Sequence, residues 1–541
     1  MYKRMFVIYG VLLLFCTTLF VHIYNVSLST MNARTTFAVN EGRYVSQIAT
    51  SYLRANIYDF AGRPLTNRET EYVTVIEPQY FTQLQAATLA ETFSTPVAYM
   101  EDRLKRQIPF LQITAYPIEM AGITSFERPL RYGEAPLAVH LIGYTDGANK
   151  TGFMGLERVF DAWLSAAQPG QVSYMADARG GSVALIGYTA GSHAKEAMAG
   201  IRTTLDIDIQ QIAEDAARDL EKGAVVVIEV STGFVKALVS KPTFNPYSVE
   251  QYLESEEGEF VNRAFMGYPL GSVFKTVACA AAAEIGLDMQ EYNYACTGAF
   301  DTQSHSFACL REGGHGPLSL EKAFAVSCNP YFVRLAQYPG WSDEIWAYAK
   351  KLGFGERMML YDGYGAQPGY LPSIHELQTP DQKGNFALGQ GEFMATPIQV
   401  AHMMAIIANG GVDTGVHLIY SKIDENKREI ERLSQPEKTR VLSREAAQEV
   451  GRLLRLAVTE GTGRSADVAA EMAGKTGSAE ANGEVHGWFG GFFPYENPRY
   501  AICVLVEDGK SGSKSAAPIV KEIAQNIAQL SGAGGSNQDR P

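Results

Sequence analysis

At 541 residues the chain is longer than one hydrophobic core usually organises, so two or three domains are expected. Its composition, 46% hydrophobic and 19% charged, is that of a globular protein. A formal charge of -13 without clustered Lys and Arg argues against nucleic-acid partners, which require basic surface against phosphate.

The first element is Met5 to Tyr24 (MFVIYGVLLLFCTTLFVHIY), a nearly unbroken apolar run of about the length a helix needs to cross a bilayer. Lys3 and Arg4 precede it, so the positive-inside rule keeps the short N-terminus cytoplasmic and exports the rest. The run exceeds a usual signal-peptide core and no clear A-x-A follows, so residues 1–26 read as a cytoplasmic tip and a single uncleaved anchor, with cleavage near SLSTMNA as the alternative. Six cysteines are few for an exported chain, which excludes a disulfide framework. Cys296 and Cys309 bracket a loop-like segment, and one bridge there or free thiols throughout are equally open. Cys16 lies in the apolar run, while Cys279, Cys328 and Cys503 have apolar neighbours that suit buried thiols. No His/Cys group has zinc spacing, so neither a metal nor a cofactor is expected.

Residues 27–200 form a mixed region of short β-like runs such as YVTVIEP and glycine turns, with a domain boundary near Gly200. Beyond it, TTLDIDIQQIAEDAARDLEK reads as an entry strand and an amphipathic helix capped by Asp208. AVVVIEV and FVKALVS, joined by Ser231, Thr232 and Gly233, predict a hairpin. GWFGGFFP and RYAICVLVED predict a second, turning between Tyr495 and Pro498. A helix, APIVKEIAQNIAQL, precedes a polar, flexible tail over 531–541. Between the hairpins a largely helical stretch runs from about Asn262 to Leu456. Strands at both ends with helices between them predict a three-layer α/β domain over 201–530, its sheet mainly antiparallel.

Four S-x-x-K patterns occur, at Ser192/Lys195, Ser272/Lys275, Ser319/Lys322 and Ser511/Lys514. Two lie in polar loops, and Ser319 reads as a helix cap. Ser272 differs, because a Pro/Gly turn there opens an Ala-rich helix expected to be buried. One helical turn puts Lys275 on the face of Ser272, pointing at its hydroxyl. Burial lowers a lysine's pKa and lets the neutral amine accept a proton, while the helix N-terminus favours a developing oxyanion. FAVSCNPYF adds Ser327 and Asn329, and AEMAGKTGSAE adds Lys475, Thr476 and Gly477 where a strand is expected. Taken singly, Ser-x-Asn is also a simple turn and Lys-Thr-Gly a strand end. His140, His315 and His486 read as structural, and Glu392 as a helix-start residue.

In this order and at these separations the three motifs resemble the S-x-x-K, S-D-N and K-T-G signature of penicillin-binding proteins and class A β-lactamases. The likeness extends to LRANIYDFAGRPL, GFMGLERVFD, ALGQGEFMATPIQVAHMMAIIANGG, VTEGTG and HGWFGGFFP, covering roughly residues 50 to 528 and pointing to class B penicillin-binding proteins. The resemblance implies a D,D-transpeptidase, with a five-stranded sheet between helices and residues 27–200 as an extracytoplasmic pedestal. It assigns nucleophilic attack on the D-Ala-D-Ala carbonyl of a peptidoglycan stem peptide to Ser272 and its activation to Lys275. Proton relay and amide contacts fall to Ser327 and Asn329, and the substrate or β-lactam carboxylate to Lys475 and Thr476. Gly477 and Ser478 line the substrate, and backbone N–H groups of Ser272 and Ser478 form the oxyanion hole.

The family pattern Pro-Gly-Ser-Thr-Phe-Lys departs here to Leu270-Gly271-Ser272-Val273-Phe274-Lys275, with the proline at Pro269, and Ser478 replaces a usual threonine. The resemblance further implies β-lactam inhibition and a polytopic glycan polymerase as partner. Service in elongation, division or sporulation stays open, as does the acceptor amine. Two other readings remain at this level: a D,D-carboxypeptidase or β-lactamase-type hydrolase, and a β-lactam sensor or scaffold.

Overall fold

The computed structural model describes residues 17–19, 45–165, 169–176, 182–189, 200–286, 294–424, 426–435, 437–468, 471–481 and 483–534. The apolar run Met5 to Tyr24, apart from residues 17–19, lies outside them, as do the Ser192/Lys195 pair and residues 535–541. Among the described residues no helix is long and apolar enough to cross a membrane.

The chain divides into two compact units, and the division is not a single cut near Gly200. One unit takes residues 1–53, 69–130 and 166–194; the other takes 54–68, 131–165 and 195–541. In the smaller unit, strands Val45–Ala49, Gln171–Ala176 and Ser182–Thr189 form an antiparallel sheet. A second has Glu69–Ile76, the YVTVI run, between Phe110–Thr114 and Ile123–Leu130. Leu89, Met100 and Leu104 of helices Ala86–Thr92 and Val97–Arg106 share a core with Ile76, Phe110 and Ile123.

Within the larger unit, segments 54–68 and 131–165 are tied to each other by a buried ion triad and to the rest by strand pairing. The Glu157 carboxylate, 0% exposed, accepts from Arg54 Nε and Arg131 Nε at 2.7 Å each. These are the Arg of LRANIYDF and the Glu of GFMGLERVF, so that likeness marks a buried ion triad. Strand Asn56–Tyr58 runs parallel to Gly200–Thr203, completing the attachment.

Helix α1 (Ile207–Ala216) is capped by Asp206, whose carboxylate accepts from the N–H groups of Asp208 and Ile209. The expected cap, Asp208, is corrected to a first-turn residue, since the chain leaves extended backbone two residues earlier. Next come β1 (Gly223–Glu229) and β2 (Val235–Lys241), then α2 (Lys275–Ile285), α3 (Asn329–Ala336), α4 (Pro397–Ala408) and α5 (Arg444–Thr459). The domain closes with β3 (Ala473–Ala481), β4 (Glu484–Phe493), β5 (Tyr500–Val506) and α6 (Ala516–Gly534). The sheet order is β2-β1-β5-β4-β3, antiparallel throughout, so both predicted hairpins and the five-stranded sheet are present.

Alternation along the strands produces the three layers. Ala224, Val226 and Ile228 of β1 face the core that holds α2, α4 and α5, while Val225 and Val227 face α1 and α6. In β5, Ala501, Cys503 and Leu505 take the first side and Ile502 and Val504 the second. Two details differ from expectation. The stretch between the hairpins is interrupted by small two-stranded ribbons, including Tyr294–Cys296 with Gly316–Leu318 and Ala299–Asp301 with Ser306–Ala308. Helix α6 continues to Gly534, past the expected start of the tail.

Candidate active site

Ser272 sits in a single 3-10 turn, Gly271–Phe274, that leads directly into α2. Three close approaches shape this turn. Gly271 has φ +64, and a Cβ there would stand 2.6 Å from the Ser478 carbonyl oxygen. Its N–H donates to the Gly389 carbonyl at 2.8 Å, so the Gly389-Gln390-Gly391 turn props the nucleophile turn from behind. Trp488 of β4 adds an indole N–H to the Pro269 carbonyl at 2.9 Å. Gly477 on β3 is equally constrained, since a Cβ would lie 2.8 Å from the Leu270 carbonyl oxygen. The edge strand β3 and the Ser272 turn therefore meet backbone to backbone.

Lys275 opens α2 and is 0% exposed. Its Nζ lies 2.7 Å from Asn329 Oδ1, 3.0 Å from the Ser327 carbonyl and 3.3 Å from Ser327 Oγ. The sequence reading aimed this amine at Ser272; its hydrogen bonds run instead to Ser327 and Asn329. Ser327 adopts φ +58 and Asn329 begins α3, so the backbone turns sharply between them and points both side chains at one amine. Burial, reinforced by the charge of Lys475, holds the Lys275 pKa well below its ordinary value. A neutral amine here donates to the Ser327 carbonyl and Asn329 and has a lone pair left for a hydroxyl proton.

Lys475, also 0% exposed, is lowered by burial to about 7. Its Nζ donates to the Thr476 carbonyl at 3.0 Å and reaches Thr462 Oγ1 at 3.5 Å; the Thr462 and Thr476 hydroxyls are 2.7 Å apart. Thr462 contacts two residues of the K-T-G motif and is not singled out by the motifs themselves, although VTEGTG belongs to the resemblance. Gly461 explains its placement: a Cβ would stand 2.0 Å from the Ala325 carbonyl oxygen, which also accepts the Thr462 N–H. Ser478 is exposed on β3, with its Oγ 3.3 Å from the Gly512 N–H. The structure thus gathers residues from the S-x-x-K, S-x-N and K-T-G motifs around one end of α2.

The remaining candidates separate cleanly. Ser319 caps a helix by accepting from the Lys322 N–H, and Lys514 is an exposed turn residue. His140 hydrogen-bonds the Glu259 carbonyl at 2.6 Å, with burial lowering its pKa to about 4. His486 packs edge-on against Tyr268. Glu392 is corrected from helix start to an exposed turn residue, because α4 begins only at Pro397.

The cysteines fall on one side of an alternative that the sequence leaves open. Cys296 and Cys309 are both free. The donor atoms of Cys296, Cys309, His315 and Cys328 all lie within 4.8 Å of one another, a set able to hold a metal ion where zinc spacing was judged absent. The small ribbons between Tyr294 and Leu318 fold widely separated residues together, which linear spacing does not reveal.

The family model for the penicillin binding protein transpeptidase domain matches residues 223–525. The peptidoglycan D,D-transpeptidase MrdA of Acinetobacter baumannii is 26% identical over 86% of this chain and 72% of its own length. The peptidoglycan D,D-transpeptidase PbpA of Mycolicibacterium smegmatis is 31% identical over 59% of this chain and 70% of its own. A solved chain from a peptidoglycan synthase complex that coordinates polymerisation and crosslinking superposes with a TM-score of 0.69 at 23% identity, covering 96% of this chain and 98% of that one. The chain belongs to the penicillin-binding protein transpeptidase family, as a class B member.

Proposed function

We propose that this class B peptidoglycan D,D-transpeptidase works through an acyl-enzyme on Ser272. The observation that carries the assignment is the buried Lys275 amine, one turn inside Ser272 and within reach of Ser327 and Asn329. Neutral Lys275 takes the Ser272 proton as Oγ attacks the penultimate D-Ala carbonyl of a stem peptide. The oxyanion lies between the backbone N–H groups of Ser272 and Ser478, a rigid pair because β3 is pressed against the Ser272 turn. Ser327 hands a proton to the departing D-Ala nitrogen, Asn329 holds the stem-peptide amide, and Lys475 with Thr476 grips the terminal carboxylate. An acceptor amine from a neighbouring strand resolves the ester. A β-lactam enters the same path, and its ring opens onto Ser272.

The wider setting follows from the same family. Met5 to Tyr24 anchors the chain, the smaller unit with residues 69–130 and 166–194 supplies a pedestal outside the membrane, and a polytopic glycan polymerase is the partner that supplies strands. Likeness to a chain from a polymerising and crosslinking complex supports that partner class. Intact-mass analysis after labelling with a fluorescent penicillin, followed by peptide mapping, tests the site. A stable adduct on Ser272, absent in Ser272→Ala, is expected. An adduct on another serine overturns the assignment, and rapid loss of the adduct points to a hydrolase.

A further inference from the structure

A cavity of about 320 Å3 borders the active site and takes no part in the acylation steps. Two elements that carry the site also wall this cavity. One is the Gly389-Gln390-Gly391 turn: Gln390 and Gly391 line the space, while the Gly389 carbonyl accepts the N–H groups of Leu270 and Gly271 and supports the Ser272 turn. The other is the helix Pro380–Ala387, docked so closely that a Cβ on Gly384 would stand 2.6 Å from Phe307 and 3.1 Å from Val333 of α3. Asn329 begins α3. The cavity is therefore fixed relative to the nucleophile and to the amide that meets Lys275.

The lining selects a ligand. Leu377 and Phe386 give it an apolar floor, and Asn385 and Gln390 are half-buried amides whose side chains have no hydrogen-bond partner among the described residues. Two carboxylates, Glu376 and Glu392, line it, and none of its lining residues is basic. The hydroxyls of Ser373 and Tyr370 and the Ser373 N–H hold Glu376 down at about 2, so that carboxylate stays charged. Such a site attracts a cation on an aliphatic stem and turns a carboxylate away. The donor peptide's terminal carboxylate is thereby excluded, and the reaction's other partner is an amine.

We propose that this cavity is the acceptor subsite, which takes the primary amine and aliphatic stem of the peptide that resolves the Ser272 ester. The assignment rests on the transpeptidase reading. Glu376 and Glu392 gather the amine in its ammonium form, and Asn385 and Gln390 meet the peptide groups beside it. The ammonium releases one proton to solvent before attack. The free amine nitrogen then bonds to the ester carbon, the C–Oγ bond breaks, and a further proton passes from nitrogen through Lys275 to Ser272 Oγ.

The test uses the purified full-length chain in detergent, with two readouts. Binding of Nα-acetyl-lysine amide to the penicillin-acylated chain is measured by titration calorimetry, with the Nε-acetylated form as the uncharged control. Transfer from a depsipeptide donor ending in D-Ala to the same amine is then measured against hydrolysis by mass spectrometry. Glu392→Gln should weaken binding about fivefold and raise the acceptor KM to match with kcat little changed, and Glu392→Lys should weaken binding about tenfold or more. Glu256→Gln, at an exposed carboxylate outside the cavity, should bind as the wild type does. Wild-type affinity equal for the charged and uncharged forms, or unchanged in Glu392→Lys, overturns the subsite. A loss in Glu392→Gln shared equally by penicillin acylation shows that the residue shapes the Ser272 turn instead of holding an amine, and overturns it as well. If the wild-type chain binds the amine but transfers no acyl group to it, the transpeptidase reading fails and the amine site stands.

Discussion

Replacing Gly271 by alanine tests whether the contact between the Ser272 turn and β3 governs acylation. Two costs are readable in the structure. At φ +64 an L-residue loses roughly 1–2 kcal/mol relative to glycine. The added Cβ then stands 2.6 Å from the Ser478 carbonyl oxygen and 2.9 Å from its carbon, both backbone atoms, so a strand or the turn must shift. Overpacking of this kind costs about 1–3 kcal/mol. A displacement approaching 1 Å between the two oxyanion donors is enough to slow acylation about 100-fold. Gly286 supplies the control: it has φ +68 at the end of α2 with open space around its Cβ position, so Gly286→Ala carries the backbone cost alone. Second-order acylation rates with a fluorescent penicillin, read beside thermal unfolding, separate the two. The expected outcome is Gly271→Ala folded but about 100-fold slower, and Gly286→Ala mildly destabilised at the wild-type rate. Equal rates in the two folded variants would refute the reasoning.

Glu157→Ala leaves Arg131 buried without its carboxylate, while Arg54 keeps Asp161 at 2.9 Å, and should cost about 3–5 kcal/mol in denaturant unfolding of the larger unit. Thr462→Val removes the hydroxyl shared with Thr476 and Lys475; KM for carboxylate-bearing substrates should rise several-fold with kcat little changed, as steady-state kinetics would read. Lys475 has a free-site pKa of about 7, so above that pH it must take up a proton to meet a carboxylate. Penicillin binding before acylation should weaken about tenfold per pH unit from pH 7 upward until the bound-state pKa is reached, and Lys475→Met should flatten that slope. The same group affects stability in the opposite sense: its folded pKa is below the unfolded 10.5, so the folded state holds fewer protons between about pH 7 and 10.5, and its contribution rises with pH there.

What was legible in the sequence was whatever local chemistry fixes. Ser231-Thr232-Gly233 between two β-branched runs specifies the β1–β2 turn, and the glycine-aromatic pattern of GWFGGFFP specifies β4, because those residues choose their own backbone geometry. The three motifs were legible because their residue types are rare together. Long-range closure was not. Nothing local to Arg54 or Glu157 says that 54–68 and 131–165 join each other, since the ion triad spans about a hundred residues of chain. The Cys296–Cys328 cluster was hidden for the same reason: its side chains come from two ribbons and the Ser-x-Asn turn. Thr462 reaches Lys475 only because Gly461 admits the Ala325 carbonyl. Lys275 was correctly expected to be buried and depressed, yet its partners come from the start of α3, which S-x-x-K spacing alone does not supply.

The account depends on an amine that is neutral at the moment Ser272 attacks. The direct measurement is the pH dependence of Ser272 acylation in the wild-type chain and in Lys275→Met, with folding checked across the range. The wild-type rate should climb through an ionisation below 10.5, the ordinary lysine value, and level off; Lys275→Met should be slower by about 100- to 10,000-fold and lack that ionisation. The same titration surviving in Lys275→Met would contradict the account.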